Sequence, residues 1–156
     1  MELGRRGEDV ACEFLTGKGH IIVQRNFRSG HLEIDIISLD RNGVHFVEVK
    51  SRVAPVMVSP EENVTMSKQR KVADAALRYL NTAKDKRISG DLEVNFDVVA
   101  VTFDGGEEIV EWFPNAFYPM YLLTGVSMFL CFDASTSSAT TSSATGAGMR
   151  SLNLSK

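Results

Sequence analysis

The stretch LEIDIISLDRNGVHFVEVKSR, residues 32–52, holds the reading on which the fold turns. Residues 32–39 alternate apolar and polar side chains with the period of a half-buried strand, and VHFVEVKSR from Val44 reads as the next strand. Between them Asp40-Arg41-Asn42-Gly43 places Asn-Gly among alternating hydrophobics, the strongest short-range hairpin signal. A two-residue turn on Asn42-Gly43 sets Arg41 opposite Val44, and with it Asp35 opposite Lys50, Ile37 opposite Glu48 and Glu33 opposite Arg52. Directly opposed residues share a face. Glu33, Asp35, Glu48 and Lys50 therefore gather on one side, and Leu32, Ile34 and Ile36 with Val47 and Val49 form an apolar side that packs into the core.

Three carboxylates and one lysine on one sheet face repel and desolvate one another unless a hard divalent cation compensates them, which points to Mg²⁺ or Mn²⁺. With Asp35 and Glu48 as ligands, such an ion polarises a phosphodiester oxygen and activates a water, while Lys50 orients the nucleophile or neutralises developing charge. Glu8, at the edge of the apolar stripe of an opening helix, leans towards the same place as a further candidate ligand. Gln69, near the start of a second helix, is placed to orient water or phosphate, and that helix N-terminus favours anions. Glu-x-Lys alone is weak: with 11 Glu and 7 Lys in 156 residues, one such triplet arises by chance about half the time. A solvent-facing ladder of salt bridges would present the same residues, so the hairpin context carries the argument.

Outward from the hairpin, residues 3–18 place Leu3, Gly7, Val10, Ala11, Phe14 and Leu15 at helical spacing, with Gly19 as a stop. HIIVQRNF (20–27) reads as a strand. After Arg52 the segment VAPVMVSPEENVT reads as a loop. A second helix follows, capped by Ser67, with Val72, Ala73, Ala76, Leu77 and Leu80 as its buried stripe. EVNFDVVAVTF (93–103) and EEIVEWF (107–113) flank an Asp104-Gly105-Gly106 turn as a second hairpin. The order α, three strands, α, two strands implies an α/β domain with a mixed sheet flanked by helices, over residues 1–118. Residues 119–132 make an apolar extension shorter than the ~18 residues a spanning helix needs, and the remainder, 133–156, rich in Ser, Thr, Ala and Gly, reads as a disordered tail.

A length of 156 residues fits one domain, and 44% apolar with 24% charged residues excludes collagen-like, wholly disordered and multi-span membrane classes. Two cysteines far apart make no disulfide framework, and the first residues contain no apolar core of a secretory signal, so a reduced, cytoplasmic setting is expected. The net charge of −3 hides an asymmetry. Residues 50–87 hold nine Lys/Arg against four acids, whereas residues 91–117 hold seven acids and no base. A polyanion could bind the first region without approaching the second. Arg5, Arg6, Arg25, Arg28, Arg52, Lys68, Arg70 and Lys71 are the candidate phosphate contacts, although solvated helix faces look alike. His20, His31 and His45 are scattered and read as surface or strand histidines rather than ligands. Gly4 and Gly7 lack the spacing of a phosphate loop, no serine sits in a nucleophile elbow, and Trp112 and Phe113 read as core.

The blocks GRRGEDVACEFLTGKGHIIVQRNFRS, LEIDIISLD, FVEVKSR, SKQRKVADAALRYL and FDVVAV followed by NAF, in this order, resemble the YraN family of small bacterial proteins over residues 3 to about 118. That family resembles archaeal Holliday junction resolvases and the PD-(D/E)xK, restriction-endonuclease-like nucleases, with an α-β-β-β-α-β core. The resemblance implies that Asp35, Glu48 and Lys50 are the metal-nuclease motif, Glu8 the acid on the first helix and Gln69 the polar residue on the second. It implies an endonuclease that hydrolyses phosphodiester bonds, in branched DNA, as a homodimer because two strands must be cut. No proline precedes Asp35, and the family pattern ends near Asn115-Ala116-Phe117. A non-catalytic nucleic-acid-binding module with this fold, or a partner-binding protein using the run from Met120, would keep the same residues.

Overall fold

The computed structural model describes residues 2–55, 64–82, 85–88 and 92–119; most of the loop after Arg52, the apolar run 120–132 and the tail lie outside the described residues. Helix α1 (Glu2–Gly17) buries Gly7, Ala11 and Leu15, one residue per turn along one stripe. It ends in a Schellman turn: Gly19 is left-handed at φ 93°, its amide bonds the Thr16 carbonyl, and the His20 amide bonds the Leu15 carbonyl, each at 3.0 Å. Strands β1 (Ile21–Ser29), β2 (Leu32–Leu39) and β3 (Gly43–Val53) follow, then α2 (Met66–Thr82), β4 (Glu93–Asp104) and β5 (Glu107–Phe113). The strands form one sheet in chain order, antiparallel except between β3 and β4, which run parallel with α2 in the connection between them. This is the expected α-β-β-β-α-β arrangement, extended by β5.

Both sheet faces are covered. Ala11 and Leu15 pack with Ile36, Val47, Val99, Val101 and Phe103 on the α1 side. On the α2 side Val72, Ala73, Ala76 and Tyr79 pack with Ile34, Ile37, Val44, Phe46, Phe96 and Val98. Central strands buried on both faces need near-continuous apolar sequence, which FVEV and VVAV supply. The α2 cap is Thr65, whose Oγ1 accepts the Lys68 amide at 3.3 Å, two residues before the expected Ser67.

Two expectations for the hairpin are corrected. Leu39, not Arg41, pairs with Val44, so the register is offset by two residues and the connection is the four residues 40–43. A two-residue type I′ turn requires positive φ at both central positions, and neither Asn42 nor Gly43 has it. Asp40 closes the longer loop instead, its Oδ1 accepting the Asn42 and Gly43 amides at 2.7 and 2.9 Å. Gly43 is drawn into β3 against Glu93 of β4, where a Cβ would run into the Glu93 carbonyl. A shift of two keeps every side chain on its face. The expected pairing of Asp35 with Lys50 is replaced by alignment with Glu48 if the register is continued.

The second correction concerns the apolar side. Leu32 and Ile34 pack on the α2 side, but Ile36 packs on the α1 side, so alternation slips at Asp35. Across from it on β1, Asn26 is left-handed at φ 50°, between the pairs Arg25–Ile36 and Phe27–Ile34. Asn tolerates this conformation better than most residues, and the cost of holding a side chain there is of order 1–3 kcal/mol. The kink turns β1 and β2 together, which is why the period-two reading of LEIDI fails midway.

Candidate functional site

The β2–β3 ladder runs from Leu39–Val44 to Ile36–Val47 and no further, although β2 extends back to Leu32 and β3 on to Val53. Where the pairing stops, Asp35 substitutes a side chain for backbone: its Oδ2 accepts the Val49 amide at 2.8 Å. Glu48, one residue before Val49, is only 4% exposed. Its Oε1 accepts from Lys50 Nζ at 2.9 Å, and Lys68 Nζ from α2 stands 3.0 Å from Oε2. The Lys68 contact is an ion pair rather than an aligned hydrogen bond, so buried Oε2 has no hydrogen-bond donor. Glu33 is exposed at the rim, 3.9 Å from Lys68 and 3.7 Å from Arg28.

Burial, then the neighbouring Glu48 charge, push the Asp35 carboxyl up to about 7, against the opposing pull of the Val49 amide and Lys68. For Lys68, burial acts to lower the pKa, but Glu48, Asp35 and Glu33 together raise it above the ordinary lysine value. In this cluster of three acids and two amines, Asp35 thus retains its proton near neutrality and Lys68 stays charged.

Glu8 reaches this place from α1. Its Oε2 accepts from Asn26 Nδ2 at 2.8 Å and lies 3.7 Å from Arg25, and its charge contributes to the rise in the Asp35 pKa. Gln69 is engaged otherwise, its Nε2 donating to the Val64 carbonyl at 2.9 Å across the start of α2. Asp35, Glu48 and Lys50 are therefore brought together, Glu8 is held by Asn26 and bears on Asp35 through its charge alone, and the Gln69 amide nitrogen is turned to backbone.

The basic candidates divide. Arg6 pairs with Glu108 at 2.8 Å over the Phe103 ring, and Arg25 pairs with Asp9 at 2.7 Å. Lys68, expected to face solvent or a partner, points to Glu48 instead. Arg5, Arg28, Arg70 and Lys71 are exposed and Arg52 is half-buried. Sequence reading missed Lys68 as the partner of Glu48 and Asn26 as the link from Glu8. For Asn26 a signal existed, a lone Asn inside a strand-like run; for Lys68 there was none. It also took the histidines as scattered, yet His20 and His45 lie with ring centroids 4.6 Å apart.

A five-stranded mixed sheet between two helices, with acids and amines converging where the central hairpin parts, defines an α/β protein with a nuclease-like α-β-β-β-α-β core. Residues 7–101 match the family model described as Uncharacterised protein family UPF0102, and the chain belongs to that family, the one to which the sequence blocks pointed. Among similar proteins, a UPF0102 protein of Desulfosudis oleivorans is 44% identical over 117 residues, covering 75% of this chain and 90% of its own length. One from Geobacter metallireducens is 40% identical over 119 residues (76% and 94%), and one from Bacteroides thetaiotaomicron 36% over 118 (76% and 93%). Among the described residues no helix is long and apolar enough to cross a membrane.

Proposed function

We propose that the chain is a Mg²⁺- or Mn²⁺-dependent endonuclease that hydrolyses DNA phosphodiester bonds, with branched DNA as its substrate, acting in the cytoplasm as a homodimer. One observation carries the reading: Asp35 and Glu48 are held side by side at reduced solvation, and buried Glu48 Oε2 has beside it only the unaligned Lys68 ammonium at 3.0 Å. Oxygen ligands of this kind suit a hard dication, which would relieve the repulsion that keeps a proton on Asp35. Asp35 and Glu48 would hold the ion, with Glu8 contributing from α1. When bound, it supplies polarisation of a phosphoryl oxygen and a water of lowered pKa.

The other roles belong to the chain. Lys50, 2.9 Å from Glu48, is positioned to orient the attacking water and to neutralise charge that develops on phosphorus-bound oxygens. Lys68 stands where a cation on Glu48 Oε2 would compete with it, so binding turns this ammonium outward to a DNA phosphate. Arg5, Arg28, Arg70 and Lys71 supply exposed positive charge for the backbone.

The two lysines on Glu48 favour a second reading, in which the cluster is already neutralised and the protein binds nucleic acid without cutting it. Purified protein incubated with Mg²⁺ or Mn²⁺ and with branched and linear DNA separates the two, with Lys50→Ala alongside. Cleavage of the branched substrate by the wild type and at least a hundredfold less by the variant supports the endonuclease. Binding without cleavage of any substrate in either metal supports the module.

A further inference from the structure

On the α1 side of the sheet, at the opposite end of the hairpin from Glu48, three side chains distant in sequence converge. His20 is placed by the turn that ends α1, Asp40 by the β2–β3 loop and His45 by β3, and each offers a ligand atom within 4.8 Å of the others. His20 is 4% exposed and His45 5%, their rings edge to face.

Behind His45 lies Asp97 of β4, with no exposed surface. Asp97 Oδ2 accepts from Trp112 Nε1 at 3.1 Å, and Oδ1 accepts from the Asn115 amide at 2.9 Å. With both Asp97 oxygens already accepting from these donors, the 2.8 Å contact from His45 Nδ1 is read as Nδ1–H donating to Oδ2. The lone pair of a neutral His45 is then on Nε2, which is buried without an aligned hydrogen-bond partner and lies 3.2 Å from Asp40 Oδ1. Asp40 Oδ1 already accepts two backbone amides and has no proton to offer. Two acceptors then stand 3.2 Å apart, a repulsive arrangement unless something positive lies beside them.

We propose that His20, Asp40 and His45 form a site for a divalent transition cation of the zinc class. Imidazole nitrogens select such an ion over Mg²⁺, and a carboxylate behind the ligating imidazole, as Asp97 stands behind His45, fixes the tautomer and strengthens the ligand. Tetrahedral binding requires ligand atoms about 3.3 Å apart, so the three close by about 1 Å or less onto the ion, with water completing the set. Two carboxylates and two neutral imidazoles carry a charge of −2, which the dication balances. The ion ties the end of α1, the hairpin loop and β3 together, and through Asp97 and Trp112 it reaches β4 and β5. It is separate from the Glu48 cluster, which lies with α2 on the other face.

The competing account places an imidazolium at His45, clamped between Asp97 and Asp40. The test titrates the full chain with Zn²⁺ alone and with Co²⁺ alone, in the wild type and in Glu48→Gln, which leaves this site intact. The chain has one tryptophan, and its indole bonds Asp97, so its emission reports binding. Expected are one equivalent that Glu48→Gln retains, a rise in melting temperature, a shift in Trp112 emission and four-coordinate visible absorption for Co²⁺ in that variant. His20→Phe keeps an aromatic ring against Trp112 and removes a ligand; it should fold and weaken binding by at least about 100-fold, and Asp97→Asn by about 10–100-fold. Zinc that leaves melting and emission unmoved overturns the site, as does binding that His20→Phe leaves intact. Since His45→Gln leaves Asp97 short of a donor and can misfold, imidazole nitrogen shifts of the wild type serve in its place. A His45 doubly protonated and unaltered by zinc overturns the proposal; an Nε2 resonance that moves to a metal-bound position on adding zinc, with the proton on Nδ1, supports it.

Discussion

At Asp35 two opposing demands meet in one side chain: it accepts the Val49 amide where the β2–β3 ladder ends, and it stands against Glu48 with little water to screen the pair. Asn at this position keeps an acceptor for Val49 and removes the charge. Asp35→Asn should therefore raise stability by roughly 1–3 kcal/mol above pH 7 without divalent cations, and lower Mg²⁺ affinity at least tenfold, by denaturant unfolding and calorimetry. The pH dependence has the sign opposite to that of a salt-bridged acid. The folded-state pKa of about 7 lies above the ordinary 3.8, so the folded chain holds a proton that the unfolded chain has released. Stability from this group is full below about pH 4 and falls as pH rises towards 7, and the Asp35→Asn variant should lose that slope. Lys68→Met removes the ammonium beside Glu48 Oε2 and should cost about 1–3 kcal/mol in the metal-free protein while tightening Mg²⁺ binding.

Among the elements, β3 is the one whose neighbours leave least freedom. Gly43 starts it in contact with the Glu93 backbone of β4, and Gly7 of α1 crosses it over Ser51. The two glycines differ in what would have to give. A methyl at position 43 meets a carbonyl in a paired strand, whereas at position 7 it meets the Ser51 hydroxyl, which can rotate away, and the Ser51 Cβ at 2.9 Å, which needs a small shift. Gly43→Ala should destabilise by about 3 kcal/mol and Gly7→Ala by about 1 kcal/mol, measured as shifts in urea midpoint at constant slope. Elements were legible where the signal was local: both helices, all five strands and the Gly19 stop follow from periodicity and punctuation. The register between β2 and β3 was not, because Asn42-Gly43 is read as a turn in isolation, whereas Gly43 becomes the start of a strand once β4 lies alongside.

Across the whole molecule, the two faces of the sheet carry different clusters: acids and amines towards α2, histidines and Asp97 towards α1. The core reaches as far as Phe117, 6% exposed with its ring 5.4 Å from that of Phe96. Phe117→Ala should therefore cost about 3 kcal/mol in unfolding free energy, which checks that this residue belongs to the core. Charge acts at the same scale. If DNA is bound, log affinity should fall linearly with log salt, and replacing exposed Arg5 or Lys71 should reduce the slope by about 0.9 each, read from binding isotherms at several salt concentrations. Arg6 and Arg25, already paired with Glu108 and Asp9, should change it less.

The sequence by itself determined the order of elements, the mixed sheet, and the presence of Asp35, Glu48 and Lys50 on adjoining strands, because apolar periodicity and turn residues act over a few positions of chain. Only the tertiary structure decided that Asp35 bonds the Val49 amide beside Glu48, that alternation slips opposite Asn26, that Lys68 turns inward and that His20 meets His45. Each of these depends on which backbone passes beside which, and that is set by helices and strands packing over separations of tens of residues, where no local pattern in the chain reports the distance.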